Sequence, residues 1–228
     1  MKIGIIAGGF KPFTSGHFAK VALSSRECEK TVLLYSSADR SRGGGVGLQS
    51  DQLELMWKLL SPKMKDAFGS SLVIKDASPW PISAVYGIIK CATRSISHPV
   101  QSERKRALGF LRNFEIHDTI SHITVYGSQE DLDKRFARHV RENNSYKMFD
   151  DFYDQGKLSF SDGSGKLISA VKPFYPKISN PDIQERVSVR GTSLRINLKN
   201  GKREDSFKYF PPVLSSLESQ KLFSILCS

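Results

Sequence analysis

The residues best suited to chemistry stand at the start of the chain, in Gly8-Gly9-Phe10-Lys11-Pro12-Phe13-Thr14-Ser15-Gly16-His17. Two adjacent glycines let a backbone turn tightly and approach a ligand closely. Pro12 stiffens the turn. Thr14 or Ser15 can cap a helix that begins near Gly16. The first turn of a helix presents unbonded amides and the positive end of the helix dipole, so it suits a phosphate. His17 falls in that turn and can donate a hydrogen bond to the phosphate. Lys11 places a cation in the same loop. The stretch matches neither Gly-x-Gly-x-x-Gly nor Gly-x4-Gly-Lys-Ser/Thr.

A loop of this kind needs a rigid strand before it. Ile3-Gly4-Ile5-Ile6-Ala7 is a short apolar run that reads as a buried parallel strand. Phe18, Val21 and Ala22 suit the inner face of the helix that follows. Residues 31–37 read as a second parallel strand, residues 50–60 as a helix stopped by Ser61-Pro62, and residues 71–75 as a third strand. Leu53, Met56, Trp57 and Leu60 share one face of that helix, which makes Trp57 a core residue. Residues 82–94 read as a helix and 121–126 as a fourth strand, followed by a basic helix through Lys134, Arg135, Arg138 and Arg141.

Ligands of open α/β sheets bind at the C-terminal ends of the strands. Three further segments fall there. Arg40 and Arg42 precede a glycine run, and as a flexible flap they can reach a triphosphate. Trp80, held between Pro79 and Pro81, can stack on a substrate ring. Gly127-Ser128-Gln129 follows the fourth strand. Residues 145–182 are aromatic-rich and contain a hairpin signal, with 158–161 and 166–171 flanking Asp162-Gly163-Ser164-Gly165; they read as an insertion or lid. Near the other end lies Val187-Ser188-Val189-Arg190-Gly191-Thr192-Ser193-Leu194-Arg195, which alone reads as a capped helix start, and Gly201 ends that short helix.

The first stretch resembles the nucleotidyltransferase superfamily signature Gly-x-Phe-x-Pro-x-His/Thr-x-Gly-His, through Gly8, Phe10, Pro12, Thr14, Gly16 and His17. The second resembles its Ile-Ser-Ser/Gly-Thr-x-Ile/Leu-Arg, through Val189, Gly191, Thr192, Leu194 and Arg195. Three positions depart: Thr14 stands where many members carry histidine, Arg190 where serine is usual, and Gln129 where an aspartate follows Gly-Ser. The resemblance implies a single α/β domain over residues 1–228, a Rossmann-like open parallel sheet with helices on both faces and an inserted β-hairpin region. It implies transfer of a nucleotidyl group from a nucleoside triphosphate to a phosphate-bearing acceptor, with pyrophosphate released. His17 and Thr14 would bond the triphosphate, Thr192 and Ser193 the β- and γ-phosphates, and Arg195 the negative charge. Gly8, Gly9, Phe10, Gly16, Gly127, Ser128 and Gly191 would border the nucleotide, and Mg²⁺ would ride on the phosphates with no protein cage. Adenylyl transfer to nicotinamide mononucleotide is favoured, because Trp80 and the aromatic insertion suit a flat ring; cytidylyl transfer to a phospho-alcohol or sugar phosphate remains the alternative.

Composition narrows the class. The 228 residues are 39% hydrophobic and 25% charged, as in a globular domain. No apolar run reaches membrane-spanning length, and a strand starting within two residues of Met1 leaves no room for a signal peptide. Three widely spaced cysteines argue for a reducing cytoplasm. The net charge of +11 suits a polyanionic small substrate, or a nucleic-acid-binding module on the same fold. Oligomeric state is not encoded in any of these features.

Overall fold

The strand that feeds the glycine loop, β1 (Lys2–Ala7), lies inside the sheet with a partner on each side. The computed structural model describes residues 1–39, 47–127, 152–161, 167–171, 175–177 and 191–228. In chain order the elements are β1, α1 (Ser15–Glu27), β2 (Lys30–Tyr35), α2 (Ser50–Phe68), β3 (Leu72–Asp76), α3 (Pro81–Ser97), α4 (Gln101–Arg112), β4 (His122–Tyr126), β5 (Leu158–Ser161), β6 (Leu167–Val171), β7 (Tyr175–Lys177), α5 (Gly191–Lys199), α6 (Arg203–Phe207) and α7 (Ser216–Cys227).

The sheet order is β3-β2-β1-β4-β5-β6-β7. β1 pairs in parallel with β2 (Ile5↔Val32) and with β4 (Ile5↔Val125), and β3 and β5 continue the parallel run on either side. The chain builds outward from β1 to β3, then returns to place β4 on β1's other edge. That reversal opens a crevice at the C-terminal ends of β1 and β4, where the glycine loop emerges.

Both faces are covered, because strand residues alternate between two apolar layers. Ile3, Ile5, Val32, Leu34, Val73, Ile123 and Val125 meet α3 and α4. Ile6, Leu33, Leu72 and Tyr126 meet the opposite layer, built with α1, α2, α5 and α7. This is the α/β, Rossmann-like arrangement expected from the sequence.

Three details differ from expectation. α2 does not stop at Ser61-Pro62 but carries Pro62 inside it to Phe68. The apolar stripe Leu53, Met56, Trp57, Leu60 continues to Met64, and burying that last methionine holds the helix on past the hydrogen bond that proline removes. The expected hairpin is present, with Phe160 opposite Ile168. Its first strand, β5, also pairs in parallel with β4 (Val125↔Phe160), so it is the fifth strand of the central sheet. α4 and α7 have no counterpart in the sequence reading. The flap with Arg40 and Arg42, Ser128, Gln129 and the basic helix at Lys134–Arg141 lie outside the described residues. Among the described residues no helix is long and apolar enough to cross a membrane.

Candidate active site

The loop after β1 is shaped by its aromatic residues. Phe10 sits at φ +43°, in the left-handed region that residues with a side chain rarely adopt. Its ring folds back so closely that a Cβ on Gly8 would lie 2.9 Å from it, so Gly8 is needed for space. Phe10 and Phe13 are buried and pack edge-on, 5.5 Å apart. Phe13 meets Trp57 at 5.2 Å, and Trp57 stacks on Tyr35 at 4.2 Å, so Trp57 is core as expected. The Gly8 amide donates to Leu34 O (3.1 Å), which carries the sheet's hydrogen bonding into the loop.

Thr14, fully buried, is the N-cap residue of α1. Its backbone N–H donates to His17 Nδ1 at 3.0 Å, and its hydroxyl also lies 3.0 Å from that nitrogen. His17 thus takes the place that glutamate holds in a capping box. An amide can only donate, so Nδ1 is the acceptor, and the neutral ring carries its hydrogen on Nε2. Burial, helped by the Lys20 ammonium, pushes the His17 pKa down to about 3, although the ring keeps a partly exposed edge. At neutral pH His17 is therefore an uncharged donor through Nε2. The ring is wedged against Phe10 at 4.9 Å and Phe13 at 5.5 Å, which fixes its plane.

The far end of the chain closes over this loop. α5 begins at Gly191, whose Cβ position is 3.8 Å from both Lys11 O and Pro12 O. Arg195 Nη1 donates to Lys11 O at 2.7 Å, and its Nη2 donates to Thr192 Oγ1 at 3.2 Å. Partial burial draws Arg195 below its ordinary pKa, but a guanidinium stays charged at physiological pH. Tyr209 O accepts the Ser15 amide at 2.8 Å. The Lys11 ammonium donates to Ala38 O, just beyond β2. Residues 184 positions apart thus share one rim.

A second part of the rim lies beyond β2 and β3. Asp76 accepts the Ser78 amide at 2.8 Å and hydroxyl at 2.5 Å, and the Ser37 hydroxyl. Burial alone would raise the Asp76 pKa; the Ser37 and Ser78 hydrogen bonds outweigh it and hold the carboxyl below its usual value. The Ser78 hydroxyl also accepts the Ser37 amide at 2.9 Å. This network ties the two strand ends together and sets the turn into α3, whose N-cap residue is Trp80, 62% exposed.

The structure therefore brings Gly8, Gly9, Phe10, Lys11, Thr14, Gly16 and His17 together with Gly191, Thr192, Ser193 and Arg195. Trp80 stands on the same edge of the sheet. The Gly127 amide is engaged by Ser161 O at 2.9 Å. Arg40 and Ser128 lie outside the described residues. The sequence reading missed Ala38, Tyr209 and the Ser37–Asp76–Ser78 network. The first two act through carbonyls, which any residue supplies; a serine two residues beyond the end of each of two strands was the one available signal for the third. Among the described residues no three His, Cys, Asp or Glu side chains group as a metal cage. The donors present are amides, hydroxyls and cations, which suit phosphate oxygens.

No family model matches the chain, and no curated protein does. Among solved structures it is similar to a Vibrio parahaemolyticus protein assigned as a nicotinate-nucleotide adenylyltransferase, 16% identical over 97% of each chain, TM-score 0.45. It is similar to Plasmodium falciparum nicotinic acid mononucleotide adenylyltransferase complexed with NaAD, 13% identical over 98% of each chain, TM-score 0.47. Thermotoga maritima TmcAL bound with alpha-thio ATP is 9% identical, over 99% of this chain and 55% of that one, TM-score 0.41. At these identities and TM-scores the likenesses carry no activity across.

Proposed function

We propose that this chain is a nucleotidyltransferase that moves the nucleotidyl group of a nucleoside triphosphate, ATP in preference to CTP, onto a phosphate-bearing acceptor. One observation carries the proposal. Two helix starts rich in glycine and hydroxyls, α1 and α5, come from opposite ends of the chain and meet at the crevice, joined by the Arg195–Lys11 hydrogen bond.

An acceptor phosphate oxygen attacks the α-phosphorus in line. The bond from that phosphorus to the α–β bridging oxygen breaks, and pyrophosphate leaves. The protein's work is to position the groups and stabilise charge. His17 donates from Nε2 to a phosphate oxygen without changing its own charge. Thr192 and Ser193 offer hydroxyls at the start of α5, and the α1 and α5 dipoles favour the polyanion. Lys11 and Arg195 brace the loop and add positive charge. Mg²⁺, carried in on the triphosphate, would neutralise part of its charge. A planar acceptor such as nicotinamide mononucleotide would lay its ring on exposed Trp80.

The test is pyrophosphate release with Mg²⁺, crossing ATP and CTP against nicotinamide mononucleotide, phosphopantetheine, phosphocholine and a sugar phosphate. One productive pair, lost in His17→Ala, is the expected result. Absence of triphosphate binding in the folded protein would overturn the reading.

A further inference from the structure

Away from the crevice, the layer formed by α3 and α4 is strongly asymmetric in charge. Residues 81–112, which form α3 and α4, contain Lys90, Arg94, Arg104, Lys105, Arg106 and Arg112 against one acid, Glu103. By contrast, residues 47–80 hold four charges of each sign. Glu103 is already used: it pairs with Arg106 at 2.8 Å and lies 4.0 Å from Arg94. Arg104, Lys105 and Arg112 are exposed, and among the described residues their side chains make no hydrogen bond or ion pair.

Helical spacing groups these three. Positions 104, 105 and 112 fall within an arc of about 100° and extend over about 12 Å of the helix axis. Three uncompensated cations on one side of a helix form a positive strip that attracts an extended polyanion. A duplex presents one phosphate charge per roughly 1.7 Å of its axis, so about seven fall along that length. We propose that the outer face of α4, led by Arg104, Lys105 and Arg112, binds the phosphodiester backbone of a nucleic acid without reading its bases.

The face does not suit a bilayer. A membrane-surface helix needs an apolar side to insert, and the fully buried apolar residues of α4, Ala107 and Leu111, are packed inside the protein. Nor is this face part of the phosphate rim described above, so the proposal stands whether or not the nucleotidyltransferase reading does.

The test is fluorescence anisotropy of the full chain with labelled RNA and DNA duplexes of one sequence, across a salt series. Wild type should bind with a steep loss of affinity as salt rises. Arg104→Gln/Lys105→Gln/Arg112→Gln should flatten the slope of log K against log salt by about 2–3. Each single variant should remove about one unit of slope, which keeps the test sound should the triple variant unfold. Lys199→Gln/Lys202→Gln/Lys221→Gln removes equal charge elsewhere and should leave the slope unchanged. A preference for the RNA or the DNA duplex would support the proposal and name the source. Failure to bind either duplex would overturn it. So would equal loss in both triple variants, or equally tight, α4-dependent binding to phosphatidylserine vesicles.

Discussion

The two faces of the central sheet are built on different principles. The face under α3 and α4 is apolar strand by strand, with Ile3, Ile5, Val32, Leu34, Ile123 and Val125 all 4% exposed or less. The face under α1, α2, α5 and α7 holds buried polar side chains in the same rows: Thr31 and Thr124 flank Gly4 among the strand residues, and Ser24 lies above them. Ser24 bonds Thr31 at 2.8 Å, and Tyr126 lays its ring across Gly4 to donate to Glu27 at 2.6 Å. The apolar face supplies cohesion. The other gives up apolar packing for fixed hydrogen bonds, and those bonds fix the helix whose first turn holds His17.

Neighbouring residues on β1 allow this contrast to be tested directly. Ile5→Ala should cost about 2–5 kcal/mol in urea unfolding, because it opens a hole in a wholly apolar layer. Turnover per folded molecule should be unchanged; a change would show that the faces are not separable. His17→Ala should do the opposite, cutting turnover about 10²-fold with a small loss of stability from the missing cap. Gly4→Ala should cost about 1–3 kcal/mol. The new methyl would stand 1.9 Å from Ser24 Oγ and 3.0 Å from the Tyr126 ring, forcing the Ser24–Thr31 bond apart. Tyr126→Phe should cost only about 1 kcal/mol, since exposed Glu27 can turn to water.

A pH series sharpens the same point. The native His17 resists protonation down to about pH 3, while in the unfolded chain it takes a proton near pH 6.5. Below that value the unfolded state binds the extra proton, so stability falls as pH drops from about 6.5 towards 3. Wild type should lose stability over this range more steeply than His17→Gln, as read from thermal midpoints. The turnover profile should contain no ionisation of His17 between pH 5 and 9; a shift in an apparent pKa on substitution would contradict the neutral donor.

Much of this was legible in the sequence, for specific reasons. β1, β2 and β4 are buried on both sides, so Ile3–Ala7, Val32–Leu34 and Ile123–Tyr126 stand out as apolar runs. The glycine loop announced itself through residue types that few other settings need. α4 did not, because its inner face is carried by little more than Ala107 and Leu111 among cations. The extension of α2 past Pro62 was hidden because the local signal says stop, while the contact that overrides it, Met64 in the core, is tertiary. At the site, His17 was visible but its tautomer was not. That depends on an amide three residues earlier, and backbone partners have no letter in the sequence. The same holds for Arg195, whose partner is a carbonyl.

The Arg195–Lys11 and Tyr209–Ser15 hydrogen bonds also set an order in time. Synthesis delivers β1 and its loop first, and the sheet strands can be made while Gly191 is still to come. Until then Lys11 O and the Ser15 amide lack their partners from the later segment. The rim of the crevice would thus be among the last parts of the molecule to mature, and a chain stalled on the ribosome before Gly191 would carry strands without the finished rim.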